Sequence, residues 1–154
     1  MRHQFLGLIV LAACGGSSAP EPDALNPCLN ETRADTFVVG LDKRGTSGMF
    51  DFALMSGDPA PPARGDNTWI LQVSTMVSGV VGAPLTGAAM TVTPFMPDHA
   101  HGTPIKVNVT ETATAGQYKL SPINMWMPGY WETTVTASES GSSDTAVFKF
   151  CIPD

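Results

Sequence analysis

The feature that most restricts how this chain can fold is alternation. In "WETTVTA", Trp131, Thr133, Val135 and Ala137 fall on one side and Glu132, Thr134 and Thr136 on the other. That is the two-residue period of a strand with one buried and one wet face. "IKVNVTE" repeats it with Ile105, Val107 and Val109 on the apolar side. No stretch shows a comparable helical period, whereas short β-rich runs are punctuated throughout by Gly, Pro, Asp and Asn. Strands are expected at Thr36–Leu41, Met49–Leu54, Asn67–Thr75, Ala88–Thr93, Lys106–Glu111, Gln117–Leu120, Trp131–Ser138 and Thr145–Cys151. "TAGQ" at 114–117 and "SESGSSD" at 138–144 supply hairpin turns. The expected fold is all-β, an immunoglobulin-like antiparallel β-sandwich of about seven or eight strands. The proline-rich "SGDPAPPARGDN" at 56–67 is expected to be a rigid crossover between sheets, with a partner-binding loop as the alternative.

Ahead of this region, "MRHQFLGLIVLAAC" joins a basic start to an apolar run and small residues, the pattern of a secretory signal too short for a bilayer-spanning helix. Leu11–Ala12–Ala13–Cys14 resembles the lipobox of bacterial lipoproteins. The resemblance implies a signal peptide over 1–13 and a lipid anchor on Cys14, and Gly15 in place of an acidic residue points to the outer rather than the inner membrane. Ordinary cleavage nearby, without lipid, is the alternative. Residues 14–27 have the small, polar, proline-containing composition of a flexible tether, which leaves 28–154 as the folded domain. With Arg2 in the leader, the remainder carries 7 basic against 14 acidic side chains. No Lys/Arg cluster exists for phosphate contacts, so nucleic acid is not an expected partner.

Two cysteines remain, Cys28 and Cys151, at the two ends of the domain. In an oxidising compartment their economical state is a disulfide, worth about 4 to 5 kcal/mol on the chain-entropy model for a loop of this size.

Chemistry concentrates in two short stretches, "MPDHAH" at 96–101 and "NMWMPGYW" at 124–131. His99 and His101 are the only histidines after the leader, and in extended backbone residues two apart project to the same side. Pro97 and Asp98 favour a turn that returns Met96 to the same point. Met125 and Met127 also share a side if extended, with Trp126 opposed, and Pro128–Gly129 ends the run at a sheet end. The expected site combines two imidazoles with one or two thioethers. Thioether sulfur is soft and neutral, so this mixture selects Cu(I) over Mg, Ca or structural zinc. Protons compete for imidazole, so affinity falls in acid. Asp98 and Glu132 are candidates to hold the imidazole tautomers, or equally solvated turn and strand charges, and Trp126 either stacks over the ion or forms the rim. Met125 reads equally well as ligand or core, whereas Met49, Met55, Met76 and Met90 read as core filler.

The run "MTVTPFMPDHAHGTP" at 90–104, with "GQYKL" at 116–120 and "MPGYWETTVTA" at 127–137, resembles the YtkA-like family, related to FixH-like proteins; the similarity extends from Thr68 to Phe150. The resemblance implies a small β-sandwich of the bacterial envelope concerned with copper binding or delivery, with Met96, His99, His101 and Met127 at the motif positions. Met125 lies outside that pattern.

These readings make the chain an envelope lipoprotein that binds copper and exchanges it with a donor or acceptor protein. The alternative is an immunoglobulin-like interaction module without metal. No serine-hydrolase elbow, HExxH or phosphate loop is present, so an enzyme is not expected.

Overall fold

The computed structural model describes residues 26–154. The expected signal, the anchor at Cys14 and nearly all of the tether lie outside the described residues. Ten strands form two antiparallel sheets: β1 (Leu41–Arg44), β2 (Phe50–Asp58), β3 (Gly65–Val77), β4 (Val80–Pro84), β5 (Ala89–Met96), β6 (His101–Gly102), β7 (Asn108–Glu111), β8 (Gln117–Met125), β9 (Gly129–Glu139) and β10 (Ser142–Ile152). The first sheet runs β1-β2-β3-β8-β7, with β4 also paired to β3; the second runs β10-β9-β5-β6. β8 and β4 share one edge of β3, the former along Gly65–Gln72 and the latter along Ser74–Val77.

Alternation is realised most fully where the sequence shows it best. Trp131, Thr133, Val135 and Ala137 are all buried in β9, and β10 adds Ala146, Phe148, Phe150 and Ile152 to the same face. The opposing sheet contributes Phe52, Leu54, Trp69, Leu71, Tyr118, Leu120 and Ile123. Trp69 meets Phe148 and Phe150 edge-on at 5.9 and 5.5 Å and so ties the two sheets together. Burying each such side chain stabilises by about 1.5 to 3 kcal/mol. The β9–β10 hairpin turns at Ser140 and Gly141, both at positive φ, and "TAGQ" joins β7 to β8 with the Gln117 amide donating to Thr114 O.

Several expectations shift. Thr36–Leu41 is not a strand: the Leu41 amide donates to Val38 O in a turn, Val38 and Val39 stay exposed, and β1 starts only at Leu41. Ile105 is exposed and precedes β7, so only Val107 and Val109 of that trio face the core. The proline-rich segment connects β2 to β3 within one sheet and is therefore a hairpin loop, not a crossover. Met49 is exposed and does not fill the core.

The register defines one end of the sandwich. Gly65 pairs with Met125 in the first sheet, Gly129 with Ile152 in the second, and Met96 with His101 at the adjoining edge. The Cys28–Cys151 disulfide, with Cα atoms 5.5 Å apart, fastens the start of the domain to β10 beside Tyr130, the partner of Cys151.

Candidate functional site

Both motifs arrive at this end for identifiable reasons. β5 stops at Met96 because Pro97 lacks an amide donor; Pro97–His99 form one 3-10 turn, and Ala100 reverses the chain at φ 53°. His101 thereby lands directly opposite Met96 in a two-residue strand. Opposed residues of an antiparallel pair project to the same face with Cβ atoms about 5 Å apart, so the thioether and imidazole start as neighbours. Met96 is fully buried, His101 half-buried and His99 exposed. The two imidazole centres stand 5.7 Å apart.

The second motif closes over the first. Trp126, at 45% exposed, lies nearly parallel to the His101 ring at 5.3 Å, while the buried Trp131 meets the same ring edge-on at 6.5 Å. Trp131 Nε1 donates to Met127 O at 2.9 Å and Arg64 Nε donates to Trp126 O at 3.0 Å, which fixes the corner at both ends. Gly129 holds φ +123°, and a Cβ there would stand 2.8 Å from Met96 Cε. The end of the Met96 side chain therefore packs on the backbone two residues after Met127. Met127 is half-buried against the core; Met125 is fully buried within it, in line with Leu120 and Ile123. A proton on His101 Nδ1 has an acceptor at Gly102 O, 3.2 Å away, and that tautomer leaves Nε2 free.

The carboxylates are engaged elsewhere. Asp98 accepts no hydrogen bond from either imidazole; Arg33 donates to both its oxygens, Nη1 at 2.8 Å and Nη2 at 2.6 Å. These hydrogen bonds, more than the nearby charges of Arg33 and His99, hold the Asp98 carboxyl below its ordinary range. Glu132 accepts from Tyr130 OH at 2.8 Å and faces Lys149. Burial first, then this acceptor, raises the Tyr130 phenol above its usual value. Neither acid holds an imidazole tautomer. Among the described residues no group of three or more His, Cys, Asp or Glu side chains could hold a metal ion. The soft groups at this end are the two imidazoles and the thioether of Met96, the residue opposite His101.

Arg33, Arg64, Trp131 and Gly129 escaped the sequence reading as parts of this site. Arg33 was traceable in principle: it follows Cys28 by five residues, and a Cys28–Cys151 bond beside a β9–β10 hairpin puts it near Tyr130. Its guanidinium indeed lies 4.0 Å from the centre of that ring.

No curated protein and no solved structure matches the chain. A family model, YtkA-like, matches residues 46–136, more than half of the sequence, and that span includes both motifs and all five candidate ligands. Membership fits an envelope protein. The chain belongs to the YtkA-like family.

Proposed function

We propose that this protein is a lipid-anchored envelope protein that binds copper as Cu(I) for buffering or hand-over to a donor or acceptor protein of the envelope. His99 and His101 supply nitrogen, Met96, the residue opposite His101, supplies one sulfur and Met127 a second, with Met125 in the core as a further candidate. One observation supports the reading: the His99 and His101 rings stand at a separation suited to one ion, with His101 stacked on Trp126 and the end of Met96 against Gly129. An imidazole nitrogen bound at about 2.0 Å puts the ring centre about 3.2 Å from the metal, so two rings subtending roughly 110–130° stand about 5.2 to 5.8 Å apart. The 5.7 Å found here falls within that interval.

The donor set supports a soft ion. With Asp98 and Glu132 occupied by cations and a phenol, little oxygen is offered to a hard metal, while thioether and neutral imidazole suit Cu(I). Exposed His99 and half-buried Met127 give a partner a route for stepwise exchange of ligands, a binding role that requires no bond-making chemistry. The test is competition for Cu(I) against a chromophoric chelator by the soluble domain and by His99→Ala, His101→Ala, Met96→Ala and Met127→Ala. The expected outcome is tight competition by wild type and weakened competition by each histidine variant and at least one methionine variant. Failure of wild type to compete, or equal competition by all variants, leaves the metal-free interaction module as the better reading.

A further inference from the structure

We propose that Arg33 sets the metal selectivity of this site: by occupying both carboxylate oxygens of Asp98 and placing a fixed positive charge beside the His99 turn, it disfavours divalent cations such as Zn(II) relative to Cu(I). The inference rests on the copper-site reading and goes beyond it by naming what the site rejects and which residue does so.

Asp98 directly precedes His99 in the 3-10 turn and is the acid next to the histidine pair in sequence. A His/carboxylate combination is the donor mixture that Zn(II) and other divalent ions accept. Arg33 removes that option. It grips Asp98 with two nitrogens, and Glu31 holds the same guanidinium, accepting from Nε at 2.9 Å and from Nη2 at 2.6 Å. The Tyr130 ring, 4.0 Å from Cζ, supports it from the β9 side. The disulfide at Cys28 anchors the short segment that carries it. An exposed ion pair contributes little to stability, yet this one is bidentate, doubly anchored and placed on the carboxylate that directly precedes His99. Lysine could balance the charge there but not cover both oxygens in a plane.

Charge magnitude separates the ions. For a separation on the order of 8 Å in water-like dielectric, removing one positive charge would favour a monovalent cation about 2-fold and a divalent cation about 5-fold. Direct ligation by the freed carboxylate adds to the divalent gain alone.

The experiment measures Cu(I) and Zn(II) affinities by chelator competition, and Co(II) binding by its visible absorption, for wild type, Arg33→Gln, Arg33→Lys and Arg33→Gln/Asp98→Asn, with the disulfide verified by mass. Arg33→Gln is expected to bind Zn(II) at least about 5-fold more tightly while Cu(I) affinity changes about 2-fold or less. Arg33→Lys should fall between, and the double variant, which restores the local charge and has no carboxylate at position 98, should return to wild-type Zn(II) binding. An unchanged Zn(II) affinity in Arg33→Gln, or a gain that survives Asp98→Asn, overturns the proposal. Should Arg33→Gln not fold, Arg33→Lys decides by the same criterion. Absence of Cu(I) binding by wild type would defeat the copper reading, while the effect of Arg33 on Zn(II) and Co(II) stays readable in its own right.

Discussion

Replacing Gly129 by alanine tests the join between the two motifs. At φ +123° an alanine sits outside the regions open to L-residues, which costs about 1 to 3 kcal/mol. Its methyl would also lie 2.8 Å from Met96 Cε, closer than carbon atoms approach. Met96 is fully buried but its end is flexible, so the contact adds about 1 kcal/mol or less. The sum, about 1 to 4 kcal/mol, lowers the melting midpoint by on the order of 10 °C for a domain of this size. Urea denaturation of wild type, Gly129→Ala, Met96→Ala and the double variant separates the two parts. The backbone part should persist in the Met96→Ala background, and the contact part should appear as a coupling of up to about 1 kcal/mol. A Gly129→Ala protein within about 0.5 kcal/mol of wild type would refute the argument, since neither the strained backbone nor the methionine seat could then be as described.

Three further perturbations probe other joints. Asp144 is buried, and burial alone would raise its pKa, but amides of Ser47, Phe50, Thr145 and Met49 donate to it and the net shift is downward. A carboxylate with a lowered folded-state pKa contributes stability above its unfolded value and loses it as pH falls below about 4, so wild type should weaken there in denaturant melts. Asp144→Ala, which leaves four donors without this acceptor, should cost about 3 kcal/mol at pH 7 and lack that acid-dependent loss. Replacing Cys28 and Cys151 together by serine should lower stability by about 4 to 5 kcal/mol on the chain-entropy model, read as a shift of the urea midpoint. Trp126→Ala should cost about 1 kcal/mol or less, because the ring is half exposed, but should shift the His101 ring protons downfield in proton NMR as the stacked indole is lost. Unmoved resonances would contradict the stack.

Legibility in the sequence followed the strength of the local signal. β9, inside the second sheet, and β10, at its edge, both alternate cleanly and turn one face into the core, so pattern and burial agree. β8 extends to Met125, beyond the expected stop at Leu120, because the register with β3 shifts between Asn67 and Trp69 and thereby accommodates Pro122, which lacks an amide. That irregularity delivers the Trp126–Gly129 corner to the site. β4 is exposed along its whole length and ends in "GAP", so neither alternation nor composition marks it. β6 has two residues and exists only through its pairing with β5. At the site, the two histidines and Met96, Asp98, Met125, Trp126 and Met127 were visible as residue types. The partners that orient them, Arg33 and Arg64, are brought in by tertiary folding from more than sixty residues away, as with Arg33 to Asp98 and Arg64 to Trp126 O, and no local pattern announces such contacts.

X-ray absorption at the copper edge of the Cu(I)-loaded domain addresses the central claim most directly. The account predicts a first shell mixing imidazole nitrogen with thioether sulfur, losing nitrogen in His101→Ala and sulfur in Met96→Ala. A shell of nitrogen and oxygen alone, or one unaltered by both substitutions, would contradict it.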